Sequence, residues 1–285
     1  MGGELLTPAT VRALLDAHGL KPSRALGQNF LADPNTARRI VRLAGEGGGA
    51  TLAGRSVVEV GPGLGSLTLA LADAGARVVA LELDRHLVPI LTGVTAGLDV
   101  RVVHGNALSV EWPQLLDGAR AWSMVANLPY NVAVPVLLRS LDEAPMIHDF
   151  LVMVQREVGE RLAAAPGSRV YGSVSVNVAY ACEAELVGSV PPTVFMPRPK
   201  VESVLVRMRR RAQPPVQVDD PARMFVLVRA GFATRRKSLR QSLRAALGER
   251  TDAVLARAGI APLTRAEMLG LDGWASLARA DADVP

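Results

Sequence analysis

The chain has 285 residues, 49% of them hydrophobic, one cysteine and a formal net charge of +5. That length suits one large domain plus a small one. Cys182, alone, excludes an internal disulfide, fits a reducing compartment and reads as a small buried hydrophobe. Glu4, Arg12 and Asp16 fall where the apolar core of a secretory leader would lie. The longest uncharged stretch, 121–138, holds Asn127, Pro129, Asn131 and Pro135 and makes a poor membrane span. The expectation is a soluble cytoplasmic protein with no membrane partner.

The positive charge is concentrated. Residues 198–250 hold 14 Lys or Arg against 4 Asp or Glu, whereas the rest of the chain holds 18 against 23. A segment of net +10 on a chain otherwise at −5 suggests a polyanion partner.

In chain order, residues 8–18 read as a short amphipathic helix, and 21–31 (KPSRALGQNFL) as polar and weakly periodic. A helix is expected over 34–44, with Asp33 as its N-cap and Pro34 in its first turn, followed by a Gly-rich loop over 45–49. Then strands alternate with helices. A buried strand is expected at 56–61, further strands at 77–84, 99–106, 122–129 and 149–155, and helices at 64–74, 85–96 and 133–141. Such alternation implies βαβ units and a parallel, doubly wound sheet. Two further β-like runs, 181–190 and 201–209, are expected to form a terminal antiparallel pair. Residues 210–221 (RRAQPPVQVDDP) read as a linker, and the remainder as helical to about 280. The expected division is an α/β domain over 1–210 and a small all-α domain over 211–285.

Three motifs carry chemistry. Gly61, Gly63 and Gly65 follow the first strand of the alternation, where glycines let a ligand approach the backbone at the sheet's carboxyl edge. Pro62 removes an amide donor, so a ligand without phosphates suits this loop better than a pyrophosphate. Glu82 ends the next strand, about 20 residues on, where a carboxylate accepts from both ribose hydroxyls of a nucleoside. Asn127-Leu128-Pro129-Tyr130 ends the fourth strand. The exocyclic amine of adenine is a poor nucleophile because its lone pair is delocalised. An Asn oxygen and a backbone carbonyl, each accepting one amine hydrogen, direct that lone pair at an electrophilic methyl. Pro129 fixes the backbone, and Tyr130 offers a stacking face. His18, His86, His104 and His148 are scattered, with no Cys/His cluster, and no metal site is expected.

In the C-terminal part, Arg236, Arg240 and Arg244 recur every four residues, beside a stripe of Leu239, Leu243 and Leu247. With Arg235 and Lys237 these residues read as a packed helix presenting cations to phosphates.

Taken in order, LGQNFL (26–31), VEVGPGLGSLT (58–68), LELD (81–84), NLPYN (127–131), MVQREVGERL (153–162), YGSVSV (171–176), PPTVFMPRPKVES (191–203) and FATRRKSLRQSL (232–243) resemble the small-subunit ribosomal RNA adenine dimethyltransferases, the dimethyladenosine transferases of KsgA/RsmA type. The resemblance spans about 21–245 and implies a Rossmann-like class I methyltransferase sheet. It also implies S-adenosyl-L-methionine as methyl donor, 16S rRNA within the small ribosomal subunit as partner, and two adjacent adenosines near its 3′ end as substrate. A monomer is expected.

By this resemblance Asn29 and Leu31 lie over the cofactor, Gly61 and Gly63 contact it, and Glu82 holds its ribose. Residue 106 meets its adenine, Asn127 sits between cofactor and target, and Phe195 stacks on the target base opposite Tyr130. The family usually has Asp where this chain has Asn106. Asn keeps an accepting oxygen and loses a charge. Three alternatives are a large-subunit methyltransferase of the antibiotic-resistance type, a non-catalytic nucleic-acid-binding relative, and a nicotinamide-dependent dehydrogenase. Pro62 and the NLPY motif disfavour the last.

Overall fold

The computed structural model describes residues 5–23, 26–46 and 51–284, so 47–49 of the expected Gly-rich loop lie outside the described residues, and 45–46 belong to the preceding helix. Nine strands are present among them: β1 (Phe30–Leu31), β2 (Ser56–Val60), β3 (Arg77–Glu82), β4 (Val100–His104), β5 (Trp122–Asn127), β6 (Ile147–Gln155), β7 (Cys182–Val190), β8 (Phe195–Met196) and β9 (Ser203–Arg210). The helices are α1 (Pro8–Ala17), α2 (Pro34–Glu46), α3 (Ser66–Asp73), α4 (Val88–Val94), α5 (Trp112–Leu115), α6 (Ala133–Glu143), α7 (Arg156–Leu162), α8 (Ser173–Ala181), α9 (Pro221–Phe232), α10 (Leu239–Ser242), α11 (Arg244–Leu247), α12 (Thr251–Arg257) and α13 (Leu271–Asp283).

Seven strands form one sheet in the order β4-β3-β2-β5-β6-β9-β7. The pairs from β4 to β6 are parallel, and β9 runs antiparallel to β6. Every residue of β2 is buried, which is why its run of valines shows no alternation. The chain steps outward from β2 to β3 and β4, then returns to place β5 on the other side of β2. This reversal opens a crevice at the carboxyl ends of β2 and β5. The class I methyltransferase sheet is therefore present, with β9 inserted between β6 and the edge strand β7.

The chain divides into two compact units, Met1–Gly159 with Glu185–Arg210, and Glu160–Ala184 with Arg211–Pro285. The sequence boundary at 210/211 thus leaves out a segment, 160–184, that groups with the helical unit. Helix α8 lies in that segment and has no counterpart in the sequence reading. The second unit's core is built around Trp274, which is fully buried, with Met224, Leu227, Leu239, Leu243 and Leu255. Among the described residues no helix is long and apolar enough to cross a membrane.

One short pairing is absent from the sequence reading. β1 pairs antiparallel with β8, matching Phe30 to Met196 and Leu31 to Phe195. It joins the LGQNFL segment to the proline-rich loop across the mouth of the crevice.

Candidate active site

Four consecutive parallel strands deliver the site. Gly61 directly follows β2, β3 ends at Glu82, β5 ends at Asn127, and Asn106 follows β4 by two residues. All of these line one cleft, together with Asn29, Leu31, Gly63, Leu128, Pro129 and Tyr130.

The glycine loop is held in a shape that other residues resist. Gly61 and Gly63 have φ of +72° and +61°. A Cβ at Gly63 would stand 2.8 Å from Phe30 Cδ1, and one at Gly61 would stand 3.0 Å from Pro129 Cδ. The loop therefore touches both the N-terminal segment and the NLPY motif.

Glu82 is 5% exposed. Its Oε2 accepts from the Gly63 amide at 2.9 Å and its Oε1 from the Asp84 amide at 2.8 Å. Burial holds its pKa above the ordinary carboxylate value, against the bonds from the Asp84 and Gly63 amides that lower it. Each oxygen keeps a lone pair for a ligand hydroxyl. Glu59, two residues before the glycine loop, is 1% exposed and accepts from Thr68 Oγ1 at 2.6 Å. Burial pushes its pKa up to about 8, against the Thr68 bond that lowers it and with a further rise from Glu82.

Asn127 Nδ2 donates to the Asn29 carbonyl at 3.1 Å. This fixes the amide, and its Oδ1 is buried with no hydrogen-bond partner. A buried acceptor without a partner is uncommon in native proteins and calls for an explanation. The Leu128 amide donates to the Met153 carbonyl at 3.1 Å, and Tyr130 Oη lies 2.7 Å from Ser203 Oγ. Ser203 is fully buried, so this contact holds the tyrosine ring in one orientation. Burial also raises the Tyr130 pKa, with the Ser203 bond opposing the rise.

The segment 26–31 covers the cleft and is tied down by side chains that sequence reasoning passed over. Gln28 Nε2 donates to Asp84 Oδ2 at 2.8 Å, Gln28 Oε1 accepts from the Ser23 amide at 2.7 Å, and Ser66 Oγ donates to the Leu31 carbonyl. Leu83 and Leu108, both exposed leucines, flank Asn106 on the cleft wall. Only their position beside Glu82 and Asn106 marks them in the sequence.

Three expectations change. Phe195 is 5% exposed, packs in the hydrophobic core and does not line the cleft. Successive strand residues face opposite sides, and the β1–β8 pairing turns Phe195 inward. Asn106 Oδ1, read as available to a ligand, accepts from the Leu108 amide at 2.9 Å. That bond takes one of the oxygen's two lone pairs, so the other lone pair and the NH₂ donor are what it leaves for a ligand.

The third change concerns Arg236, Arg240 and Arg244, which do not share one helix. Ser238 is extended (φ −70°, ψ 160°), and a turn at Leu243 separates α10 from α11. The Leu239 and Arg240 amides bond instead to the Thr264 and Pro262 carbonyls, at 2.7 and 3.2 Å. The leucine stripe remains: Leu239, Leu243 and Leu247 are all buried.

Arg235, Arg236, Lys237, Arg240 and Arg244 are all exposed on the second unit. Arg240 pairs with Asp252 at 2.7 Å, and Arg235 with Glu267 at 3.9 Å. Among the described residues Arg236, Lys237 and Arg244 have no ion-pair partner.

Comparison with known proteins supplies the family. The family model described as ribosomal RNA adenine dimethylase matches residues 19–282. A protein of Leifsonia xyli named ribosomal RNA small subunit methyltransferase A is 47% identical, covering 96% of this chain and 98% of that one. Proteins of the same name from Cutibacterium acnes and a Geobacillus species are 46% and 38% identical, covering 94% and 98% of their own lengths. The crystal structure of the 23S rRNA methyltransferase ErmE is 27% identical with a TM-score of 0.63, covering 88% of this chain and 99% of that one. A dimethyladenosine transferase from Plasmodium falciparum is 20% identical with a TM-score of 0.69, covering 87% and 95%, and shares the fold. The chain belongs to the ribosomal RNA adenine dimethylase family.

Proposed function

We propose that this chain transfers methyl groups from S-adenosyl-L-methionine to the N6 amine of two adjacent adenosines near the 3′ end of 16S rRNA, giving dimethyladenosine. The relatives named small subunit methyltransferase A, at 38–47% identity over nearly their full length, support the choice of subunit. The observation that carries the chemistry is the buried, unpartnered Oδ1 of Asn127, held in place through its own Nδ2.

The donor set fits the methyl donor: a buried carboxylate with lone pairs to spare at Glu82, a glycine loop that excludes side chains, and apolar walls at Leu83 and Leu108. When bound, S-adenosyl-L-methionine supplies a methyl group on a positively charged sulfur. Glu82 would accept from the ribose hydroxyls, Gly61 and Gly63 would pass close to the methionine part, and Asn29 and Leu31 would cover it. Asn106 would present its carboxamide to the adenine edge. Asn127 Oδ1 and the Leu128 carbonyl would each accept one hydrogen of the target amine, aiming its lone pair at the methyl group. Pro129 would hold that backbone rigid, and Tyr130 would stack on the base. Phe195 would anchor the loop from the core. Arg235, Arg236, Lys237, Arg240 and Arg244 would meet the RNA backbone.

A second reading, methylation of large-subunit RNA, is favoured by the 27% identity to ErmE. The test incubates purified protein with labelled methyl donor and either small or large subunits lacking the modification, then analyses adenine by mass spectrometry. Dimethyladenine in small-subunit RNA is the expected result. Transfer to large-subunit RNA alone establishes the second reading, and transfer to neither leaves a binding protein.

A further inference from the structure

A second cleft lies at the opposite, amino-terminal edge of the parallel strands. Gly54, Arg55 and Ser56 lead into β2, Arg77 opens β3, Trp122 and Ser123 open β5, and His148 and Asp149 lie near the start of β6. Arg120 joins them from the loop before β5.

Its chemistry is the reverse of the first cleft's. Arg55 Nη2 donates to Ser123 Oγ at 3.0 Å and to Asp149 Oδ2 at 3.1 Å. Arg77 Nη2 donates to Ser56 Oγ at 3.0 Å. Each serine oxygen thus accepts from an arginine and keeps its O–H to donate. Asp149 is the one carboxylate among the lining residues, and Arg55 neutralises it. Arg77, Arg120 and His148 are exposed, and among the described residues Arg77 and Arg120 pair with no carboxylate.

Two further donors, Arg55 Nη1 and Trp122 Nε1, are shielded from water and have no acceptor. Native proteins rarely leave such groups unsatisfied. Donors and cations outnumber acceptors here, and the one carboxylate, Asp149, is already paired with Arg55, an arrangement complementary to an oxyanion and to guanidinium–phosphate pairing in particular.

We propose that this cleft binds a phosphate group. Arg77 and Arg120 are its charge contacts, and Arg55 Nη1 and Trp122 Nε1 are donors that it satisfies. The phosphate belongs either to an RNA backbone or to a free small molecule.

The experiment titrates inorganic phosphate, against chloride at equal ionic strength, onto the full chain by calorimetry. It is repeated on Arg77→Gln/Arg120→Gln and on Trp122→Phe, which keeps a ring and removes Nε1. A control of equal charge loss, Arg38→Gln/Arg42→Gln, removes exposed arginines of α2. Phosphate-specific binding is expected in the wild type and control, weakened about tenfold or more in the double variant, as for loss of charge-assisted bonds. A parallel titration with small-subunit RNA over a range of salt identifies the source. A shallower salt slope in the double variant than in the control, by about 0.7 for each phosphate no longer neutralised, assigns the phosphate to the RNA backbone. An unchanged slope with abolished phosphate binding assigns it to a free phosphate. No phosphate-specific binding together with equal salt slopes overturns the proposal. Neither arm depends on methyl transfer.

Discussion

Asn127 Nδ2 donates to the carbonyl of Asn29 at 3.1 Å, a bond between residues 98 apart in the chain. The bond fixes which way the carboxamide faces, and it leaves the buried Oδ1 without a partner and so open to a donor. Asn127→Ala is therefore expected to keep the fold and cofactor affinity while losing a factor on the order of 10²–10³ in methyl transfer. Single-turnover rates beside calorimetry check this. A variant as fast as the wild type would remove Asn127 from the reaction.

Glu82 holds the loop, since its oxygens bond the Gly63 and Asp84 amides. Glu82→Ala is expected to weaken cofactor binding by ~2–3 kcal/mol, the scale of removing a bond to a charged group. It also leaves two amides without acceptors, so thermal stability is expected to fall. Glu82→Gln turns one oxygen into a donor facing an amide donor, and should lose both properties too. Undiminished affinity in either variant sinks the ribose assignment.

At position 106 the one amide oxygen already accepts from the Leu108 N–H at 2.9 Å and keeps a single lone pair. A carboxylate there would bond Leu108 with one oxygen and offer the other to an adenine amine. Asn106→Asp is accordingly expected to tighten cofactor binding several-fold, about 1 kcal/mol for one added hydrogen bond. Calorimetry giving equal or weaker affinity shows that the adenine amine is not met at this residue.

Glu59 links stability to pH. Its folded pKa of about 8 lies above the ordinary 4.5, so the folded chain holds this proton more tightly than the unfolded chain does. The contribution is full below about 4.5 and is lost as pH rises towards 8, by at most about 1.4 kcal/mol per unit. Glu59→Gln has no proton to lose. Thermal melts of both proteins from pH 5 to 8.5 should diverge, with the variant gaining on the wild type as pH rises. Parallel curves would mean that Glu59 titrates near its ordinary value.

On the second unit, the Arg240–Asp252 pair joins side chains 59% and 56% exposed and is worth at most about 1 kcal/mol. Neutralising the unpaired Arg236, Lys237 and Arg244 should leave the melting temperature unchanged. RNA affinity is expected to fall for any sequence, and the salt slope to flatten by about 0.7–0.9 for each phosphate left without its cation. Reduced stability at constant salt slope would reassign these cations to the fold.

What the sequence displayed was whatever repeats along the chain. β2, β3 and β5 announce themselves because sheet residues covered on both faces are predominantly apolar, with Glu59 and Ser123 as buried exceptions, and Gly61, Glu82 and Asn127 are legible as the residues at or just past the ends of those runs. β1 and β8 have two residues each, too few to show a period, so the pairing of Leu31 with Phe195 and the inward turn of Phe195 stayed hidden. The arginines at 236, 240 and 244 do repeat, and mislead. Four-residue spacing requires unbroken helix, and the Thr264 and Pro262 carbonyls draw the next amides out of it. Gln28, Asp84 and Ser203 were invisible for a related reason: each acts through a partner far away in the chain.

The pairing of β1 with β8 also sets a schedule. Residues 30 and 31 emerge early in synthesis, but their partner strand lies 165 residues later, at 195 and 196. Closing a loop of that length costs entropy that only many simultaneous contacts repay, which makes such pairings slow to form. The glycine loop, Glu82 and the ties from Gln28 to Asp84 and from Ser66 to Leu31 need only the first 84 residues, whereas the strand pairing that clamps the same segment must wait for residues 195 and 196.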